Sequence, residues 1–189
     1  IPLHVRSSFN NKKGTIVCRE VKMMEKVLVS GVTINKSEAK VTICDVPDKP
    51  GIAARILKRL ADENINIDMI IQNISRTGAT DVSFTVSESD LAKTLRVSRE
   101  VSKAIGAKGA TSDNNIAKVS VVGIGMKSHA GVAAKMFSTL AARKINIEMI
   151  STSEIKISCV IDKKKADEAV KAIHKAFKLD KMAVTRERL

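Results

Sequence analysis

Aromatic residues are almost missing from this chain, which argues against nucleic-acid recognition. The sequence has no tryptophan, no tyrosine and four phenylalanines, of which at least three fall in patterns typical of a core. A protein that binds single strands stacks bases on exposed aromatic rings. The net charge of +13 would attract polyanions, but the basic residues are spread over nearly every predicted helix. We therefore expect no nucleic-acid partner.

Long apolar runs and paired cysteines are missing as well. No stretch approaches the roughly 20 apolar residues of a membrane span, and no secretory signal is present, so we expect no membrane contact and a cytoplasmic location. Cys18, Cys44 and Cys159 are odd in number and lack metal-ligand spacing. Strand patterns around Cys44 and Cys159 predict buried free thiols in a reducing compartment. Because the chain begins at Ile1, we expect a fragment or a processed or trimmed product.

Catalytic motifs do not occur in this sequence. Gly123 and Gly125 lie too close together for a phosphate-binding loop. His4, His129 and His174 are isolated, and no Ser/His/Asp or Cys/His arrangement is indicated. We therefore predict that this chain alone is not catalytic and holds neither a metal nor a cofactor.

The segment 48–70 is the most informative stretch, because it occurs again as 128–150. In the first copy, Pro50 and Gly51 precede an apolar stripe with helical spacing. That stripe consists of Ala53, Ile56, Leu57 and Leu60. When the copies are aligned from Gly51 and Gly131, about half of the positions are identical. The repeat predicts two copies of one supersecondary unit.

Strand and helix patterns extend each copy into the order βαββαβ. The first copy has strands at 40–45, 67–75 and 81–86, a helix at 89–105 that ends at Gly106, and a short closing strand in 108–114. The second has strands at 119–122, 147–152 and 155–161, helices at 131–143 and 164–177, and a last strand at 182–185. This order predicts an α+β fold of two ferredoxin-like antiparallel sheets, each with helices on one face.

The predicted domains are 40–115 and 116–189, after a connector at 1–39 that contributes one or more joining strands. Open sheets leave unpaired edges, so we expect a homodimer or a larger assembly.

The first turn of each repeated helix is a candidate anion site. Amide groups near Gly51 are free to face a ligand, and a helix N-terminus attracts anions. From residue chemistry alone, an anion site and a simple tight turn are equally supported.

Three strings resemble a known family. VPDKPGIAARI at 46–56, NINIDMIIQN at 64–73 and NIEMISTSEIKIS at 146–158 are similar to the tandem ACT domains of aspartokinase. The segment 1–10 resembles the connector that leaves its kinase domain. The resemblance covers essentially the whole chain and implies the regulatory half of the enzyme, as a separate small subunit or an excised domain. It implies a parent enzyme that phosphorylates aspartate with Mg-ATP, toward lysine, threonine and methionine, with the kinase portion outside this chain.

The resemblance also implies a bound feedback amino acid, threonine first, with lysine acting jointly or as an alternative. The partners implied are this effector, a second copy of the chain and the catalytic subunit or domain. Effector sites would lie where two ACT domains meet, with contacts from both repeats and from two chains. The implied site residues are Asp48, Lys49, Pro50, Gly51, Ile52, Ala53, Asn66, Ile67, Asp68, Gln72, Val132, Ala133, Asn146, Ile147, Ser153 and Glu154.

Roles can be assigned from the chemistry of an amino acid. Amides near Gly51 would bind the carboxylate. The ammonium needs acceptors, which are the side chains of Asp48, Asn66 or Asn146 or the carbonyls of Ile67 and Ile147. Gln72 suits a threonine hydroxyl. Ala53 and Ala133 leave room for the ligand, while Ile52 and Val132 form an apolar wall.

Each of these residues has a plainer alternative role. Asn66 and Asn146 are also typical turn residues at the start of a strand. Gln72 is also typical of a solvated strand edge, and Asp48 is also typical of a turn. Ala130 stands where the family commonly has proline, so the second site is predicted to be the weaker one. The whole chain is alternatively an ACT-type assembly module without a working effector site.

Overall fold

The computed structural model describes residues 3–10, 13–17, 29–73, 78–123, 126 and 131–180, with the backbone alone at 15–17. The strands in this part of the chain are β1 Leu3–Val5, β2 Thr15–Val17, β3 Gly31–Asn35, β4 Glu38–Pro47, β5 Ile70–Gln72, β6 Ala79–Ser87, β7 Gly109–Asp113, β8 Ile116–Val122, β9 Met149–Thr152 and β10 Lys156–Asp162. The α-helices are α1 Ile52–Asp62, α2 Leu91–Ile105, α3 Val132–Ala142 and α4 Ala166–Ala176. β1 and β2 form a separate antiparallel pair.

The first domain has the predicted βαββαβ order, from β4 to β7. Its antiparallel sheet has the order β5-β6-β4-β7. On β6, Val82, Phe84 and Val86 belong to the core cluster shared with α1 and α2. Gly106 ends α2 in the left-handed conformation, with φ 75°, which glycine adopts without steric cost.

The second domain is completed by a strand that precedes the first domain. Its sheet has the order β3-β8-β10-β9. β3 lies beside β8 in this sheet, in the same position that β7 has beside β4 in the first domain. β3 lies within the predicted connector at 1–39, and the sequence did not indicate which sheet it joins. The predicted closing strand at 182–185 lies outside the described residues. The α+β class with two antiparallel sheets is confirmed.

The two sheets face each other through the sides that carry no helices. Along β10, Ile157, Cys159 and Ile161 pack in the helix-side core, so the intervening residues point the other way. That side contributes to a separate buried cluster drawn from both domains. The cluster consists of Met69, Ile116, Met149 and Val160, with Ile71 packed against it. The layers are therefore helices, sheet, sheet and helices.

Some local predictions were wrong. Ile56 and Leu60 are buried on α1, but Leu57 is half-buried and Ala53 is exposed. The strand predicted at 67–75 is limited to Ile70–Gln72 within the described residues. Cys44, predicted to be buried, is half-buried, whereas Cys159 is fully buried. None of the helices in the described residues combines the length and the apolar character that a membrane-spanning helix requires.

Candidate functional site

The start of α1 is open to solvent and to a ligand. Gly51 adopts φ 88°, and no side chain of the described residues caps the helix. The turn before it is held by bonds from the Asp48 N–H to the Gly78 carbonyl (3.0 Å) and from the Ile52 N–H to the Lys49 carbonyl (3.3 Å). The first turn contains no acidic residue. A small carboxylate can therefore approach the helix terminus without electrostatic repulsion from that turn.

The start of α3 has the same geometry. Gly131 has φ 109°, no side-chain cap is found in the described part of the chain, and the first turn again lacks an acidic residue. The first helical bond runs from the Lys135 N–H to the Gly131 carbonyl, at 2.8 Å. Ala130, whose difference from the family pattern predicted a weaker site, lies outside the described residues. Within the described residues, both copies therefore present a helix N-terminus without a side-chain cap.

Gln72 lies at the same end of the first domain as the start of α1. It pairs with Val82 on β6, and the following carbonyl, of Asn73, accepts a bond of 3.0 Å from the Thr80 hydroxyl. Thr80 in turn pairs with Val46, just before the turn that leads to α1. Gln72, Asp48, Lys49, Pro50, Gly51 and Ala53 are exposed here, and Ile52 is half-buried.

The corresponding end of the second domain holds a cavity of about 460 Å³. It is lined by Met126, Ala133, Thr152, Ser153, Glu154 and Ile157. The structure thus brings together the candidates Ala133, Ser153 and Glu154. Val132 is 3% exposed and belongs to the helix-side core, so its side chain faces away from this cavity's opening. A volume of this size is within the usual range of small-ligand sites.

The remaining candidates lie at the opposite ends of the domains. Asn66, Ile67 and Asp68 line a cavity of about 360 Å³ whose other walls are Asn35, Ser37, Glu38, Val86, Ser87 and Asp90. They follow the end of α1, and its 11 residues correspond to about 16 Å from Gly51. Asn146 and Ile147 occupy the equivalent place after α3, with Asn146 exposed and Ile147 half-buried. Within one chain, the candidates for carboxylate binding therefore lie far from Asn66 and Asn146.

Sequence reasoning missed the charged residues that join the domains. Lys118 on β8 contacts Asp68 and Glu38 in the first domain. Burial works against its charge, but the hydrogen bonds to Asp68 and Glu38 outweigh that effect and raise the pKa of Lys118. Lys40 on β4 contacts Glu148 in the second domain. A lysine on a strand gives no sign in the sequence of which partner it meets. Among the described residues, no group of acidic, histidine or cysteine side chains could hold a metal ion.

The fold and the helix starts define a pair of ACT domains. Models of the ACT domain match residues 40–102 and 119–177. Aspartokinase of Pseudomonas aeruginosa is 48% identical over 182 residues, which are 95% of this chain and 44% of that protein. Aspartokinase of Helicobacter pylori is 45% identical over 184 residues. The chain therefore belongs to the aspartokinase family. The chain thus spans about 44% of the length of the first of these relatives.

Solved structures identify the matching part as regulatory. A chain in a crystal structure of aspartokinase alpha and beta subunits is 51% identical, with TM-score 0.75, and the match covers 80% of this chain and 99% of that one. The ligand-free regulatory subunit of aspartate kinase from Thermus thermophilus is 39% identical, with TM-score 0.76, and the match covers 79% of this chain and 99% of that one. The described residues are therefore the regulatory ACT pair of an aspartokinase.

Proposed function

We propose that this chain binds a feedback amino acid, threonine before lysine, and thereby inhibits the phosphorylation of aspartate by an attached or separate catalytic part. The observation that carries the proposal is the pair of helix starts at Gly51 and Gly131, where no described side chain caps the helix and the first turn has no acidic residue. Each suits the carboxylate of a zwitterion. Catalysis, with Mg-ATP, belongs to the part of the relatives that this chain does not cover. A reducing cytoplasm suits the free thiols of Cys44 and Cys159.

The complete effector site needs two copies of the chain. Strands β5 and β9 are the outer strands of their sheets, and each carries an exposed isoleucine, Ile70 (49%) and Ile150 (43%). Antiparallel pairing of β5 in one copy with β9 in a second would cover both apolar edges. It would also place the end of β5, with Gln72, beside the residues that lead into β9, with Asn146.

This pairing supplies each end of an amino acid with a partner. In one site, amides near Gly51 bind the carboxylate and Gln72 the threonine hydroxyl, while Asn146 or the Ile147 carbonyl of the second copy accepts from the ammonium. The converse site combines the start of α3 with Asn66 of the other copy. Effector binding then favours one arrangement of the dimer and biases the kinase toward an inactive state, with a coupling of commonly about 1–3 kcal/mol.

Calorimetry tests this proposal directly. Threonine, lysine, methionine and isoleucine are titrated into the chain, and threonine is expected to give the strongest heat signal. Gln72→Ala should weaken threonine binding several-fold without unfolding the protein. Asn114→Ala is the matched control, because this exposed amide lies in the link between β7 and β8. Unchanged affinity of the Gln72 variant would remove Gln72 from the site.

A second candidate function is assembly without sensing. The exposed edges of β5 and β9 favour it independently, since strand pairing between copies needs no ligand. Absence of heat from all four amino acids at millimolar concentration, together with a dimer in solution, would support this function over effector binding.

A further inference from the structure

Two lysines cross between the sheets in a reciprocal manner. Lys118 of the second domain contacts Asp68 of the first, and Lys40 of the first domain contacts Glu148 of the second. Asp68 and Glu148 occupy equivalent positions in the repeat, each directly after an asparagine and an isoleucine. Each acid is therefore held by a lysine from the opposite domain.

The strand register shows that the two lysines are equivalent as well. Lys40 lies opposite Thr85, whose carbonyl accepts from the Asp68 N–H at 3.1 Å. Lys118 lies opposite Val160, whose carbonyl accepts from the Glu148 N–H at 2.9 Å. Each lysine thus stands beside the acid-bearing link of its own domain but bonds to the acid of the other. The two contacts are therefore related by an approximate two-fold symmetry between the domains. A chance surface contact would not occur at equivalent positions in both domains.

The Lys118 contact is the more deeply buried of the two. The side chain of Lys118 is 12% exposed and that of Glu38 is 6% exposed. Asn35 donates its amide to one Glu38 oxygen at 2.7 Å, and the other oxygen is buried with no hydrogen-bond partner among the described residues. A buried ion pair that loses one partner leaves an uncompensated charge, which is strongly unfavourable. Asp68 itself is 44% exposed, so it also faces solvent and the neighbouring cavity.

We propose that Lys118 and Lys40 are positioning residues that tie each asparagine-containing half of the effector site to the opposite ACT domain. Asn66 and Ile67 directly precede Asp68, and Asn146 and Ile147 directly precede Glu148. Movement of one domain relative to the other therefore displaces the groups that accept the effector's ammonium. Effector binding and domain arrangement are coupled through these bridges, in both directions. The effector part of this inference rests on the proposed function, whereas the holding of the two links does not.

Hydrogen exchange on the whole chain tests the holding role without any ligand. Lys118→Met should speed exchange at the amides of 66–69, and Lys40→Met at those of 146–149, each about tenfold or more. The discriminating feature is that each variant loosens the link in the opposite domain. Lys36→Met is the matched control, because its bridge to Asp167, at 2.7 Å, is exposed and involves neither Asp68 nor Glu148.

Two results would overturn the holding role. One is unchanged exchange at both links, and the other is faster exchange throughout the molecule in the Lys40 variant. If Lys118→Met fails to fold, Lys40→Met decides alone, since the Lys40 and Glu148 side chains are 22% and 25% exposed.

Titration with threonine and with lysine tests the coupling. The Lys118 and Lys40 variants should bind the effector several-fold more weakly, and the Lys36 variant should bind it like the unmodified chain. If the unmodified chain binds neither amino acid, the proposed function fails, and exchange still decides the holding role. If both variants exchange faster at the links yet bind the effector with unchanged affinity, the bridges hold the links but the coupling is refuted.

Discussion

The thiol of Cys159 shows how strongly burial controls a single residue here. Its side chain lies on β10 inside the helix-side core, with no exposed surface. Burial raises the pKa of Cys159 from 9.0 to about 12, because the thiolate would lose its hydration. Cys159 is thus a core residue, and its sulfur is not available for chemistry in the folded protein.

Alkylation with iodoacetamide at pH 8 should leave Cys159 unmodified in the folded chain and label it in denaturant. Since the thiol ionises first in the unfolded chain, the free energy of unfolding should be unaffected by this group at neutral pH and should fall as pH rises from 9 toward 12. Peptide mass mapping checks the labelling, with the half-buried Cys44 as the internal comparison. Equal labelling of both cysteines in the folded state would contradict the burial argument.

Charge at single positions was the least predictable part of the site. The Pro50–Gly51 pair indicates a helix start in the sequence, because Pro50 restricts the backbone locally and Gly51 allows it unusual conformations. Lys118 and Lys40 carry no such local sign, since their partners lie 50 and 108 residues away. Tertiary packing alone decides that these lysines join the domains.

At the scale of elements, helices were predicted better than the links between them. Predicted helices at 131–143 and 164–177 correspond to Val132–Ala142 and Ala166–Ala176, because a 3.6-residue apolar period over several turns has few competing interpretations. The strand prediction was wrong for residues 67–69 of the link at 65–69, since the alternation there has another cause. Ile65 packs in the first core and Met69 in the cluster between the sheets. Buried and exposed side chains therefore alternate in this link although it is not part of a β-strand.

The helix start at Gly51 can be tested as a backbone element. In Gly51→Ala, the new Cβ has no atom of the described residues within 4 Å apart from its chain neighbours, so the φ of +88° is what opposes the change. We expect the free energy of unfolding to fall by about 1–2 kcal/mol and effector binding to weaken as the turn adjusts. Denaturant titration measures the first effect and calorimetry the second.

Gly31→Ala provides the control for this variant. A new Cβ at Gly31 also has no described atom within 4 Å apart from its chain neighbours, and Gly31 lacks the positive φ. The free energy of unfolding of Gly31→Ala should therefore change by no more than about 0.5 kcal/mol. Equal effects at Gly31 and Gly51 would show that loss of the special conformation is not the cause.

For the whole molecule, the most informative feature is the position of β3. The first domain is inserted between β3 and the rest of the second domain, and the partners Ile34 and Val119 are joined across that insertion. Repeat comparison could not find this arrangement, because the strand equivalent to β7 precedes the repeat instead of following it. The two domains are consequently joined by two chain connections as well as by the cluster between their sheets. These links favour coupled movement of the two domains.

Pairing of β5 with β9 between two copies gives the last prediction. Ile70→Lys and Ile150→Lys place charges on the two exposed edges, where a lysine opposes strand association. Because both isoleucines are exposed within one chain, the fold should be kept while the dimer dissociates and threonine affinity falls. Light scattering coupled to size exclusion gives the mass, and circular dichroism checks the fold. Ile34→Lys is the control, since Ile34 is 37% exposed on the other edge of the second sheet. A dimer that survives both edge variants, or dissociates equally with Ile34→Lys, would place the interface elsewhere.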